Sequence, residues 1–184
     1  MITPATGILL IADPFLKDSN FMRTVVLMCR HTQEEGSFGF VLNKIYHQTL
    51  NELIPALAGY EYPVYTGGPV QMDTLHYIHQ YPALLTDCQK IAEDIYWGGD
   101  FEILKLLIKN NEIAEDKIKF FLGYSGWGTG QLEDELKEKN WLTVNAIRKI
   151  VFETEREEIW KASLKHLGGK YEMMIHFPTD PQLN

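Results

Sequence analysis

Apolar residues in this chain fall in short dense runs with little long-range amphipathic striping. That pattern predicts a sheet-rich fold with a few short helices. Residues 7–12 are apolar at successive positions, which marks a central strand buried on both faces. Residues 24–29 form a second buried run. After a turn at 33–36, residues 38–42 predict a third strand, antiparallel to the second because the link is so short. Residues 64–66, 75–80, 95–97 and 141–144 predict further strands, whereas 81–91 reads as loop. The run Ile118, Phe120, Phe121 and Leu122 predicts one more buried strand.

Helix signals lie between these runs. Thr49 and Glu52 fit a capping box ahead of Leu50, Leu53, Ile54 and Leu57, and Pro55 should keep that helix short or kinked. Asp100 can cap a helix that starts at Phe101, buries Leu104, Leu107 and Ile108, and ends at Asn110 and Asn111. Residues 131–136 read as helix. A second capping box, Thr154 with Glu157, precedes a last helix whose stripe is Trp160, Leu164 and Leu167 and whose stop is Gly168 and Gly169. The tail from Tyr171 shows no period and is expected to pack as an extended arm. With no linker or repeat, residues 1–184 read as a single domain, with a core at about 7–168 and an arm at 169–184. Short-linked strands with helices between them indicate an α+β class.

The chain is organised around residues 123–136. Gly123, Gly126, Gly128 and Gly130 fall between the strand at 118–122 and the helix at 131–136. A strand that passes through a glycine turn into a helix can converge backbone N–H groups on a ligand. The same glycines also serve a chain that reverses in a tight space.

Composition narrows the function classes. The formal charge is −8, from 25 acidic and 17 basic residues, and Lys and Arg are not clustered. Nucleic-acid binding draws on phosphate neutralisation, and that footprint is missing. The apolar runs are far too short to span a bilayer, and the first residues do not read as a secretory signal. Cys29 and Cys88 make no disulfide framework and suggest a reducing, cytoplasmic setting, with Cys29 a small buried hydrophobe.

Candidate chemistry is sparse. Gly123 and Gly128 have P-loop spacing, but Thr129 stands where the lysine belongs. Gly126, Gly128 and Gly130 fall one residue short of a dinucleotide fingerprint. Ser125 follows a strand as a nucleophile elbow would, yet Trp127 occupies a position that motif reserves for glycine. His76 and His79, three apart on a strand, point to opposite faces and do not form a metal pair. His31 reads as a hydrogen-bonded surface histidine, and Glu133, Asp134 and Glu135 as a solvated helix face. Arg23, between Phe21 and an apolar run, is expected to have a partly buried stem and to need a carboxylate, with Asp13 and Asp18 nearby, or a carbonyl cage; its functional reading is an anion-binding group.

Several segments together resemble the bacterial YqgE/AlgH family: residues 7–14, 21–26, Gly36 with 39–43, 67–70, 98–100, and above all the glycine–tryptophan–glutamine segment at 123–133. The resemblance covers residues 7–168. Thr129 stands where many members have proline, which bears only on turn stiffness. The resemblance implies an α+β domain whose bifurcated, mostly antiparallel sheet curls into a pseudo-barrel with surrounding helices, in a cytosolic bacterial protein. It brings no established activity and no catalytic residues. Members carry the label of transcriptional regulator. No helix-turn-helix pattern is visible here, and the net charge opposes direct DNA contact.

The combined reading is a non-enzymatic binding or regulatory protein. Its groove would involve Arg23, Asn43, Gly67, Gly68, Ser125, Trp127 and Gln131. The alternative is an enzyme acting on a small anionic ligand beside the 123–131 turn. No metal or cofactor is expected. The expected partner is a protein or small molecule, without nucleic acid or membrane, and the chain is expected to be a monomer or weak dimer.

Overall fold

The computed structural model describes residues 2–177. Its strands are β1 (Ile8–Ala12), β2 (Val25–Thr32), β3 (Gly36–Val41), β4 (Val64–Thr66), β5 (Val70–His79), β6 (Gln89–Ala92), β7 (Ile95–Trp97), β8 (Ile118–Trp127) and β9 (Trp141–Asn145). They join in the order β6-β7-β5-β8-β3-β2-β1-β9, with β4 beside β8 off this path. Every pairing is antiparallel except β4 with β8. The helices are α1 (Leu50–Leu53), α2 (Phe101–Lys109), α3 (Gln131–Lys137) and α4 (Ile159–Leu167).

β8 is the strand at which the sheet forks. Along one edge it pairs with β5, from Ile118 opposite His79 to Tyr124 opposite Val70. On its other side β4 takes Phe120 to Leu122, and β3 takes Ser125 to Trp127. The two halves meet at Gly123, whose φ of +66° favours glycine. Residues 71–74 of β5 bulge opposite it. Gly67 ties the branches together. Its N–H donates to the Leu122 carbonyl at 2.9 Å, and its own carbonyl accepts from the Val41 N–H at 2.9 Å.

Three apolar clusters follow from this curl. The inner one gathers Leu9, Leu27, Phe40, Ile78 and Phe121 from both branches under Phe152, Trp160 and Leu164. A second lies outside the β4–β5–β8 branch, where Leu104 and Ile108 of α2 meet Phe120 and Tyr77. The third lies outside the other branch, where Leu132 of α3 meets Leu10, Val26, Trp127 and Trp141. β1 contributes to the inner and third clusters, which is why alternation is absent from its sequence.

The structure departs from the sequence reading in six places. β8 continues through Gly123 and Gly126 to Trp127, so the turn into α3 is confined to residues 128–130. β5 begins at Val70, and residues 89–92 are a strand although 81–91 read as loop. Thr154 does not cap the last helix, since its hydroxyl donates back to the Lys149 carbonyl across a π-helical turn, Lys149–Glu153. Residues Gly169–His176 form a 3-10 helix where an extended arm was expected, and residues 178–184 of that arm lie outside the described residues. The acidic run of α3 is not a uniformly solvated face, because Glu135 reaches the third cluster.

Other readings hold in detail. The Thr49 N–H donates to Glu52 at 2.7 Å, and α1 stops before Pro55. Asp100 accepts from the N–H groups of Glu102 and Ile103. Cys29 is fully buried, and burial pushes its thiol pKa up. His76 and His79 sit on opposite faces of β5. His79 accepts from the Tyr81 N–H at Nδ1, which leaves Nε2 to donate to the Gly98 carbonyl at 2.8 Å.

Candidate functional site

The seven residues singled out from the sequence fall into three places. Gly67, Gly68 and Ser125 form the fork itself. Ser125 is fully buried and its hydroxyl donates to the Gly67 carbonyl at 3.0 Å, so it is sealed within the sheet. Gly68 lies against the Tyr124–Ser125 peptide so closely that an added Cβ would sit 2.2 Å from the Tyr124 carbonyl carbon.

Trp127 and Gln131 belong to the junction with α3. Trp127 is 5% exposed and donates from Nε1 to Glu135 at 2.9 Å; Trp141 donates to the same oxygen at 2.7 Å. Gln131 accepts from the Gly128 N–H and donates to the other Glu135 oxygen, which fixes the start of α3.

Arg23 and Asn43 lie in a separate depression beside Trp160. The Asn43 side chain donates to the Arg23 carbonyl at 2.9 Å and accepts from the Val25 N–H at 3.1 Å, bracketing an Arg23 backbone at φ +52°. The guanidinium carbon sits 4.5 Å from the Trp160 ring centroid, and one terminal nitrogen donates to the Phe177 carbonyl. Among the described residues, neither Asp13 nor Asp18 pairs with it, which corrects the carboxylate half of the expectation; a carbonyl, the other partner expected, and the Trp160 ring hold this cation.

What opens beside β8 is a cleft of about 440 Å³ that only part of the predicted set lines. Gly126 and Trp127 form one border. The walls are aromatic: Phe38 from β3, His76 from β5, Trp97 from β7 and Tyr124 from β8. Their ring centroids lie 4.9 Å apart for Phe38 and Trp97, 5.9 Å for Phe38 and Tyr124, and 6.1 Å for His76 and Tyr124. Arg30 stands 5.2 Å over the Phe38 ring, with Glu35 across the rim. His76 Nε2 is buried with no hydrogen-bond partner among the described residues. Burial also holds the His76 pKa below the ordinary histidine value, so the ring is neutral at neutral pH.

A family model described as AlgH-like matches residues 9–172. The chain belongs to the AlgH-like family. A UPF0301 protein of Cytophaga hutchinsonii is 42% identical over 179 residues, covering 97% of this chain and 98% of that one. A UPF0301 protein of Chlorobium limicola is 43% identical, covering 97% and 95%. The solution structure of the AlgH protein from Pseudomonas aeruginosa superposes with a TM-score of 0.74 at 26% identity, over 97% of this chain and 98% of that one. A Corynebacterium diphtheriae protein shares the fold, with a TM-score of 0.79 at 20% identity over 96% and 94%. The bifurcated, curled α+β sheet expected from the resemblance is therefore the fold of this AlgH-like chain.

Sequence reasoning missed the aromatic walls because the four rings come from four separate strands. One signal was present: His76 shares a face of β5 with Ile78, which faces the inner core. A histidine there needs a partner, and the described residues supply none to Nε2.

At the hairpin beside the cleft, His31 Nδ1 lies 2.7 Å from Ser37 Oγ, and its Nε2 lies 3.6 Å from Glu133 of α3. Ser37 lines the cleft. Among the described residues no helix is long and apolar enough to cross a membrane.

Proposed function

We propose that this AlgH-like chain is a non-enzymatic binding or regulatory protein that takes a small planar ring, aromatic or heteroaromatic, in the cleft between β3, β5, β7 and β8. The observation that carries this reading is the aromatic wall itself, Phe38, His76, Trp97 and Tyr124 around one cleft. A flat ring can stack on such faces, and a small parting of the wall would open His76 Nε2, buried and without a hydrogen-bond partner among the described residues, to its polar edge. The volume suits one such ligand. The −8 charge and the absence of a basic cluster speak against DNA as the direct partner. The cytoplasmic setting rests on the sparse cysteine usage.

The test is to denature natively purified protein and identify what it releases by mass spectrometry, wild type beside Trp97→Ala. Losing one stacking face costs about 1 kcal/mol, about fivefold in affinity. The wild type should therefore release a planar heterocycle that Trp97→Ala carries at a several-fold lower level. Identical released material from both proteins would count against the cleft.

The Ser37–His31–Glu133 arrangement favours a second reading, an acyl-transferring enzyme working in the same cleft. A hydroxyl lies within hydrogen-bond reach of one imidazole nitrogen, and a carboxylate stands 3.6 Å from the other, a small movement short of orienting it. Under this reading a fluorophosphonate labels Ser37, and His31→Ala abolishes the labelling. A protein that stays unlabelled removes it.

A further inference from the structure

A depression of about 610 Å³, larger than the aromatic cleft and sharing none of its lining, lies between β4, the start of β8 and the segment from Glu153 to Glu157. Lys119 of β8 lines it. This residue is only 8% exposed, sits in a strand that is otherwise apolar on either side of it, and holds its ammonium 4.7 Å from the Tyr65 ring centroid. Among the described residues no carboxylate lies within 4 Å of it to form an ion pair. A buried ammonium without a carboxylate is costly, and a lysine held this way is poised to lose its proton.

The surroundings are of two kinds. Ile45, Tyr65, Ile118 and Phe152 supply apolar walls. Phe152 comes from the π-helical turn Lys149–Glu153, a rare geometry that recurs at functional sites. The titratable groups facing Lys119 are the Tyr65 phenol, Glu115 and Asp116 ahead of β8, and Glu153, Glu155, Arg156 and Glu157 above it. Five carboxylates thus stand against one guanidinium, and Arg156 is bonded to Glu157. Burial lowers the Lys119 pKa to about 8, with Glu155 pulling weakly the other way. The Tyr65 phenol is raised by burial and stays protonated.

We propose that Lys119 is a carbonyl-capturing lysine, and that this depression receives an uncharged or cationic aldehyde or ketone. The amine lone pair forms a bond to the carbonyl carbon as the C=O π pair moves to oxygen, and one amine hydrogen passes to that oxygen. The C–O bond then breaks, the hydroxyl leaves with the second amine hydrogen as one water, and the nitrogen lone pair closes the C=N bond of an imine. No oxidant or reductant is required. The acidic rim selects against carbonyl compounds that carry a carboxylate or phosphate.

The test uses the intact wild-type chain at pH 7 with butanal and sodium cyanoborohydride, which reduces the imine to a stable secondary amine, followed by peptide mass mapping over time. At that pH an amine of pKa about 8 is unprotonated in about one molecule in ten, against about one in 2,500 for an ordinary lysine. Lys119 should be alkylated at least about tenfold faster than the exposed Lys90 and Lys109. Glyoxylate, an anionic aldehyde, should lose most of that preference. Lys119→Arg should lose the fast adduct, and the competition among lysines in wild type decides the matter even if that variant does not fold. Lys119 reacting no faster than Lys109, or faster with glyoxylate than with butanal, overturns the proposal.

Discussion

Gly68→Ala should abolish the folded state or lower its stability by more than about 4 kcal/mol. The new methyl would sit 2.2 Å from the Tyr124 carbonyl carbon, 2.3 Å from its oxygen and 2.3 Å from the Ser125 nitrogen. All three are backbone atoms, so no side chain can swing aside. Relief requires parting β8 from the segment after β4, and that segment carries the hydrogen bonds of Gly67 that join the two branches. Backbone strain adds to this, since Gly68 has a φ of +155°. Most domains of this size are stable by only about 5–15 kcal/mol, so the loss is a large share of the whole. The check is urea denaturation beside Gly59→Ala. Gly59 has a φ of +90° but nothing within 4 Å of a new Cβ, so its substitution should cost only about 1–2 kcal/mol. Equal midpoints for the two variants would mean that the fork does not depend on that close approach.

Glu135→Ala should destabilise the protein by about 2–4 kcal/mol, a large effect for a residue on a surface helix. One carboxylate oxygen accepts from both Trp127 and Trp141, and the other accepts from Gln131. Removing it strands two indole N–H groups on side chains that are 5% and 1% exposed. Each unsatisfied buried donor costs about 1–3 kcal/mol. Glu135→Gln keeps an acceptor oxygen at the same place and should recover more than half of the loss. Denaturation midpoints of the three proteins, with tryptophan emission as the probe, decide it. An alanine variant within about 0.5 kcal/mol of wild type would return Glu135 to the ordinary surface class.

Glu135 also shows where reading the chain by period fails. Acidic residues in a first helical turn are most often solvated, and Asp134 behaves that way, pairing with Lys137 at the surface. Glu133 and Glu135 differ because a turn of only residues 128–130 separates Trp127 from the helix, and nothing in the local pattern announces which side chains will face it. The strands were legible where burial was dense, as in β1, β2 and the first half of β8. They were not legible where a strand meets solvent. Residues 71–74 of β5 are largely exposed and bulge out of the pairing with β8, and Gln89 and Lys90 of β6 are exposed and polar, so no buried apolar run marks either stretch as strand.

The candidate site divides along the same line. The glycine-rich segment stood out correctly as the stretch that organises the chain. Its glycines turn out to fork a sheet and start a helix, and they bring Gly67, Gly68 and Ser125 together there. Arg23 was grouped with them by its apolar neighbours and Asn43 through the 39–43 segment of the family resemblance, but the fold carries both to Trp160. The aromatic cleft needs strands separated by dozens of residues to become neighbours, which is a property of topology. Lys119 had the clearest unread signal, a single charge within a run of buried apolar residues.

The central claim is that the cleft walled by Phe38, His76, Trp97 and Tyr124 is where this AlgH-like protein meets its ligand. Aromatic proton–carbon NMR spectra, recorded while planar heterocyclic fragments are added to the intact protein, test it most directly. Binding fragments should shift the signals of these four rings together, with the largest change at the His76 carbon beside Nε2, and leave Trp160 unmoved. Fragments that shift Trp160 and spare His76 and Trp97, or a fragment set that moves none of the four, would contradict it.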